Sequence, residues 1–325
     1  MKPIIQATKT STKFLGTKED LFSLQKLYDR QHCIVLPQFL EPKLLELVQE
    51  KMDDVGFYED KYKLAESDAV DYRLNDETVN TLLEFLMNDP FLFELVEQIT
   101  GCEKIRIFSG GVYSLVPNLG HYDNWHQDIS ENQLASISIN LSKGIYSGGI
   151  LKIRNRNTKE ILHEIANIGY GDCVIFRIAP NLEHMVTEVT GTVAKTAFPG
   201  WFRSEPAFKP EFESNIEQKS KEKKKSTFSV DNNSILTLND STFARAFENE
   251  TMVLNLEHDA CYSTNQVGAD ILNLLEKPQA FRDIENHFIN TYEISRESCK
   301  KDLFAILNEF QENKLITIKK AALVL

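Results

Sequence analysis

The chain has 325 residues, of which 42% are hydrophobic and 26% charged, and its formal net charge is −12. That length exceeds one ordinary core and suits a large domain with a smaller one, while 14 glycines and 10 prolines are too few for a fibrous or mostly disordered chain. The acidic total argues against a general nucleic-acid binder, which needs a concentrated basic surface, and no apolar run approaches the ~20 residues that span a membrane.

The N-terminus, MKPIIQATKTSTKF, lacks the apolar segment of a secretory signal, which predicts a cytoplasmic protein. Five scattered cysteines (Cys33, Cys102, Cys173, Cys261 and Cys299) form no CxxC pair and read as reduced thiols. Residues 19–98 read helical, because FLEPKLLELVQEKM and ETVNTLLEFLMNDPFLFELVEQITG place apolar residues at three- and four-residue spacings. From residue 104 to 202 the pattern changes to short strands: KIRIFSGGVYSLV, LASISINLS, GGILKIRN, KEILHEIA, GDCVIFRI, HMVTEVT and KTAFPGWFR. Gly, Asn and Asp punctuate them as in an all-β barrel or sandwich. In LASISINLS, Ser136, Ser138, Asn140 and Ser142 share one face, and Ala135, Ile137, Ile139 and Leu141 share the other. A solvated surface or a polar pocket would explain the polar face equally.

Charge is unevenly spread. Residues 1–208 carry 21 Lys+Arg against 29 Asp+Glu, residues 209–227 carry 6 against 4, and residues 228–325 carry 9 against 15. The run at Lys223, Lys224 and Lys225 predicts a solvated linker, with a docking patch for an acidic peptide as the sharper reading. Beyond it, FARAF and TMVLNLEHDACYSTN predict strands, and three amphipathic helices are expected at 267–275, 280–292 and 296–314.

The chemistry-bearing stretch is His121-Tyr-Asp-Asn-Trp-His126-Gln-Asp128, with His184 58 residues after His126. A His-x-Asp pair plus a distant histidine supplies two imidazoles and one carboxylate. That set can occupy one face of an octahedral Fe(II) and leave the other face open. Both His121-x-Asp123 and His126-x-Asp128 fit the spacing. Lys195 lies in the second strand of the hairpin expected from HMVTEVTGTVAKTAFPGWF. A cation inside a barrel is costly without an anion, and a bound dicarboxylate would supply one; an outward-facing lysine on an edge strand would need none.

An ordered set of motifs carries a resemblance: Trp125-His126-Gln-Asp128, Gly148-Gly149-Ile-Leu151, Gly171-Asp172-Cys-Val-Ile-Phe176, His184-Met-Val-Thr-Glu-Val and Lys195-x5-Trp201-Phe202. With the lead-in Phe39-Leu-Glu-Pro-Lys, the chain resembles the Fe(II)/2-oxoglutarate-dependent dioxygenases over residues 33–204, closest to their prolyl-hydroxylase-like branch. The resemblance implies an α+β protein built on a double-stranded β-helix (jelly roll) with N-terminal helices. It implies His126, Asp128 and His184 as catalytic iron ligands and Lys195 as partner of the distal 2-oxoglutarate carboxylate. Leu151, Tyr113, Ser138 and Asn140 would adjoin cosubstrate or substrate. Fe(II), 2-oxoglutarate and O2 would be required, giving succinate, CO2 and a hydroxylated carbon. Asp128 in place of Gly or Ala implies hydroxylation rather than halogenation. Lys195 follows His184 by 11 residues, one more than is common in the family, which a longer turn near Gly191 would absorb. Ala197 stands where many relatives have Ser. Arg154, Arg156 and Arg177 are candidates for an acidic substrate group. His121 reads as an active-site mouth or loop residue, and His163 as a surface strand residue.

Residues 241–318 resemble a PqqD-like domain through Cys261-Tyr-Ser-Thr-Asn265 and Phe281-x-Asp-Ile-x3-Phe-x3-Tyr292. That likeness implies a small winged-helix-like fold that recognises leader peptides of ribosomally made natural products. An extended peptide would pair with the edge strand of Ala260, Cys261, Tyr262, Ser263 and Thr264, its side chains entering a groove walled by residues 296–310. The chain then reads as a dioxygenase domain (1–208), a charged linker (209–227) and a leader-recognition domain (228–325). The expected partner is a precursor peptide, hydroxylated on Asp, Asn or Pro, and tethering of its leader would raise the local concentration of the core. Neither nucleic acid nor membrane is an expected partner. The enzyme alternative is a hydroxylase of a free amino acid or other small molecule, with the C-terminal domain forming a homodimer. The non-enzyme alternative is a peptide-binding scaffold.

Overall fold

Local sequence sets the helix ends. In the computed structural model, which describes residues 2–64, 67–130, 132–166, 169–205, 229–247 and 250–320, Thr17 and Asp20 close a capping box on α1 (Lys18–Gln31). Glu41 and Pro42 start α2 (Pro42–Asp53), and Asp76 caps α3 (Glu77–Met87). Asp89 and Pro90 start α4 (Pro90–Thr100), which Gly101 ends at φ +68. The chain divides into two compact units, Met1–Thr8 with Thr12–Lys209, and Lys9–Ser11 with Pro210–Leu325. The expected linker, 209–227, lies outside the described residues.

The strands of the first unit are β1 (Ile5–Ala7), β2 (Thr12–Phe14), β3 (Cys33–Leu36), β4 (Phe57–Leu64), β5 (Ser67–Leu74), β6 (Ile107–Gly110), β7 (Tyr113–Leu115) and β8 (Asp123–His126). There follow β9 (Gln133–Asn140), β10 (Ser147–Gly148), β11 (Leu151–Asn155), β12 (Ile161–Ile165), β13 (Cys173–Arg177), β14 (Leu182–Val186), β15 (Val189–Thr190) and β16 (Lys195–Arg203). The helical reading of residues 19–98 is corrected where β3, β4 and β5 interrupt it. β3 pairs with β13, and β5 pairs with both β4 and β7; spacing within a short window does not reveal such long-range partners.

Two antiparallel sheets make the body of this unit. The larger runs β3-β13-β9-β16-β7-β5-β4, with β6 also on β16, and the smaller runs β12-β11-β14-β8. Side chains from both line one cavity, the two-sheet arrangement of a jelly roll. The faces of β9 sort by alternation. Ala135, Ile137, Ile139 and the following Leu141 are fully buried, while Ser136, Ser138 and Asn140 reach the cavity. On β16, Lys195, Ala197, Pro199 and Trp201 line the cavity. Phe198 and Phe202 lie 5.7 and 5.3 Å from the Phe108 ring, and Phe202 lies 6.1 Å from Phe93 of α4. Each such buried ring stabilises the fold by about 1.5–3 kcal/mol.

The second unit comprises β17 (Ile235–Leu238), β18 (Thr242–Phe247), β19 (Glu250–Asn255), β20 (Ala260–Thr264), α5 (Gln266–Leu274), β21 (Gln279–Ala280), α6 (Phe281–Tyr292), α7 (Arg296–Glu312) and β22 (Ile316–Lys319). Two three-stranded sheets, β21-β17-β22 and β18-β19-β20, and the helices enclose a core that includes Leu236, Val253, Ile271, Phe281 and Leu307. No helix among the described residues is long and apolar enough to cross a membrane.

Gly200, on the aromatic side of β16, has no room for a side chain: a Cβ would lie 2.3 Å from Phe108 Cζ and 2.6 Å from Ser109 O. Gly200→Ala is therefore expected to destabilise the first unit by about 1–3 kcal/mol. A lower urea midpoint with unchanged slope would show this, and an unchanged midpoint would refute it.

Candidate metal centre and peptide groove

Two strands of the smaller sheet assemble the centre. β8 ends on His126, Asp128 follows two residues later, and β14 holds His184 directly opposite His126. His184 thus sits within its strand rather than opening it. His126 Nε2 is 3.5 Å from Asp128 Oδ1, and His184 Nε2 is 3.4 Å from Asp128 Oδ2. One donor atom from each residue lies within 4.8 Å of the others, the one metal-type group of this kind among the described residues. His126 Nδ1 meets Asn124 O at 2.6 Å, which, in the neutral ring, places the proton on Nδ1 and leaves Nε2 as the lone-pair donor. Ser136 Oγ donates to Asp128 Oδ2 at 3.0 Å, and the Phe176 ring packs 4.8 Å from that of His184.

Electrostatics differentiates the three. Burial disfavours a charge on His126, yet Asp128 and Asp123 outweigh it and bring its pKa up to about 9. Burial drives His184 down to about 4. For Asp128, burial works upward, but hydrogen bonding to His126 and the charges of both histidines hold its carboxyl well below the usual range. A carboxylate with two imidazoles, closely spaced and facing a cavity, suits a divalent ion of the Fe(II) type.

The cavity, about 190 Å³, is lined by all three donors together with Lys195, Tyr113, Leu151, Ser138 and Asn140. Asn140 is already committed to the backbone: Nδ2 donates to Gly169 O at 3.2 Å, and Oδ1 accepts from Ser142 N at 3.1 Å. Lys195 is 8% exposed and donates to Gly149 O at 2.9 Å, so it does not face outward on an edge. Burial lowers its pKa to about 8, against the opposing pull of Asp123. Among the described residues it forms no ion pair with a carboxylate. Gly191, at φ +84, makes the turn that precedes it.

Other expectations need correction. Arg154 and Arg177 do not reach the cavity, and neither does Arg156. Leu151 and Ile153 take the inner positions of β11, and Val174 and Phe176 those of β13, so alternation turns Arg154 and Arg177 outward. Arg154 instead pairs with Glu183, and Arg177 Nη2 donates to Asp29 Oδ1 at 2.8 Å. His121 lies in the loop between β7 and β8 and not at the cavity mouth. It is fully buried, its Nδ1 accepts from Val116 N at 3.1 Å, and the Tyr72 ring lies 5.0 Å away. Its partner in spacing, Asp123, does line the cavity, and burial raises that carboxyl to about 6.

Asp71 and Arg73 on β5 also line the cavity and escaped the sequence reading. Arg73 Nε donates to Asp71 Oδ1 at 2.9 Å, and the guanidinium stands 5.8 Å from the Tyr113 ring. No motif marks them, because they arrive there through the pairing of β5 with β7.

In the second unit β20 is a sheet edge. Its Tyr262, Ser263 and Thr264 face Ile306, Glu309 and Phe310 of α7 across a groove of about 240 Å³. Ala260 and Cys261 belong to the same strand but do not line that groove.

Comparison with known proteins gives a family match within the second unit. No curated protein matches the chain. An oxidoreductase of the 2OG-Fe(II) oxygenase family from Burkholderia pseudomallei is 13% identical, with 62% of this chain and 97% of that chain covered and a TM-score of 0.45. A prolyl-4-hydroxylase from Pseudomonas putida is 15% identical, covering 57% of this chain and 100% of its own, at a TM-score of 0.38. TbiB1, solved in complex with the TbiA(beta) leader peptide, is 21% identical over 25% of this chain and 93% of its own, at a TM-score of 0.23. Residues 250–316 match the family described as coenzyme PQQ synthesis protein D, so the second unit carries a PqqD domain.

Proposed function

We propose that this chain is an Fe(II)- and 2-oxoglutarate-dependent hydroxylase acting on a residue of a ribosomally synthesised precursor peptide. The observation that carries this reading is the meeting of His126, Asp128 and His184 with the buried cation of Lys195 in one cavity. Bound iron and cosubstrate would supply oxidation of a C–H bond, one O2 being divided between succinate and the hydroxylated product, with loss of CO2. The chain's own residues do the holding. Asn124 and Ser136 orient His126 and Asp128, Lys195 meets the distal carboxylate, and Leu151, Val174 and Phe176 exclude water. The PqqD match and the edge strand beside α7 support a leader peptide as the guiding ligand, and we read that unit as winged-helix-like. The five free cysteines suit a reducing cytoplasm.

Incubation with Fe(II), 2-oxoglutarate, ascorbate and a precursor encoded beside the gene is expected to add one oxygen atom to the core peptide. His126→Ala should abolish both that mass gain and succinate release. No gain on any neighbouring precursor would defeat the peptide reading.

Lys195 also predicts a pH limit. A lysine is charged below its pKa, and burial lowers this one from 10.5 to about 8. The cation is therefore complete well below pH 8 and lost above it, so kcat/KM for 2-oxoglutarate should fall as pH rises through that value. Lys195→Ala should raise KM for 2-oxoglutarate by about 10–100-fold at neutral pH, the worth of a charged hydrogen bond. A flat profile, or a native KM in the variant, would remove Lys195 from this role.

A leaderless core peptide should lose about 100-fold or more in kcat/KM relative to the full precursor. Equal rates would remove leader guidance from the proposed function.

A further inference from the structure

The outer face of the smaller sheet carries a group of side chains that the cavity does not use. Trp125 and Gln127 flank His126, and Glu183 precedes His184. The register sets Arg154 opposite Glu183, Ile153 opposite His184, and His184 opposite His126. Arg154 therefore stands one row from the histidines, on the far side of the sheet. Its Nε pairs with Glu183, and its guanidinium lies 3.7 Å from the centre of the Trp125 ring. One side chain thus links all three strands, reaching from β11 across β14 to β8. Glu183 is only 7% exposed and also accepts from Lys159 Nζ at 2.9 Å.

Gln127, between two of the metal-type residues, makes a second link. Its Nε2 donates to Leu182 O at 2.7 Å and Pro180 O at 3.0 Å, with Ala179 O at 3.4 Å. Those carbonyls form the turn that delivers β14. The backbone ladder between β8 and β14 is short and irregular, its register shifting between His184 and Val186. Backbone pairing is thus a weak ruler for the separation of the two imidazoles, and the side-chain links cross that same weak seam.

We propose that Trp125, Arg154, Glu183 and Gln127 form a positioning clamp that fixes His126 against His184 and so sets the affinity of the site for a divalent cation. The inference rests on the metal centre proposed above and deepens it. None of the four lines the wall occupied by the reacting atoms; they act through the two histidines. Loss of supports that orient ligating histidines typically weakens metal binding by about 10–100-fold.

The test is Mn(II) binding to the full-length protein, followed by loss of the free-ion EPR signal, alongside thermal melts. Arg154→Ala is expected to raise the Mn(II) Kd by about 10–100-fold. Arg154→Lys keeps a charge for Glu183 but not the planar stack on Trp125, and should fall between. Glu183→Gln should weaken binding alone yet add little to Arg154→Ala, since both break one link. Gln127→Glu, which sets a carboxylate against three carbonyls, should also weaken binding; it and Arg154→Lys decide the matter if Arg154→Ala does not fold. Variants that melt earlier but bind Mn(II) with native affinity would reduce the clamp to a structural brace and overturn the proposal. Failure of the unmodified protein to bind Mn(II) would instead remove the metal centre itself, and the clamp with it.

Discussion

Lys195 is buried, and the His126–Asp128–His184 group half-buried, between two sheets, where an ionic group without a partner is costly. The arrangement of the first unit follows from that cost. β9 turns Ser136 toward Asp128 and sends Ile137 and Ile139 into the opposite layer. β16 turns Lys195 inward and sends Phe198 and Phe202 against Phe108. A one-residue slip of β16 would exchange these faces, turning the ammonium out of the cavity and the aromatic rings toward it. Gly149 completes the cradle. At φ +59 its carbonyl accepts from Lys195, and a Cβ there would lie 2.9 Å from Lys195 Cδ, so both the conformation and the close approach require glycine.

The second unit answers a different physical demand. Pairing with a strand edge draws on backbone groups that every peptide has, and selectivity comes from the few side chains that enter the adjoining groove. On the proposed function, leader selection and choice of the modified residue are therefore separate tasks. The cavity then needs little affinity for its target, because leader binding supplies the local concentration. Glu309 in the groove, and the excess of 15 acidic over 9 basic residues in 228–325, disfavour an acidic leader at that site.

What was legible in the sequence had a local signature. The two-residue alternation of LASISINLS foretold both faces of β9, while spacing alone left His121-x-Asp123 and His126-x-Asp128 open and the motifs of the family resemblance pointed to His126, Asp128, His184 and Lys195. The helices of the second unit lie within two residues of their expected positions. What was not legible depended on partners far along the chain. β3 and β4 are bordered by the helix breakers Pro37 and Gly56, which the helical reading passed over, and Asp71 and Arg73 become cavity residues only through the pairing of β5 with β7. The arginine expectations failed for a related reason. Composition marks Arg154 and Arg177 as available cations, but the parity of β11 and β13 directs them to Glu183 and Asp29.

Charge within the cavity orders the binding events that the proposed chemistry needs. Asp71, Asp123 and Asp128 line it against Arg73, Lys195 and the raised-pKa His126, so the charges balance when all are ionised. Arg73 is matched by Asp71, which leaves Lys195 as the cation best placed to meet a carboxylate. A dianion entering this cavity alone would find no net attraction, in a medium that screens poorly. A divalent cation held by His126, Asp128 and His184 would displace the His126 proton, leave the cavity net positive and add a second anchor for the same ligand. Each partner would then raise the affinity for the other by the same factor, as linkage requires. On the proposed function, the carboxylates that offset Arg73, Lys195 and His126 would make cosubstrate binding depend on the metal.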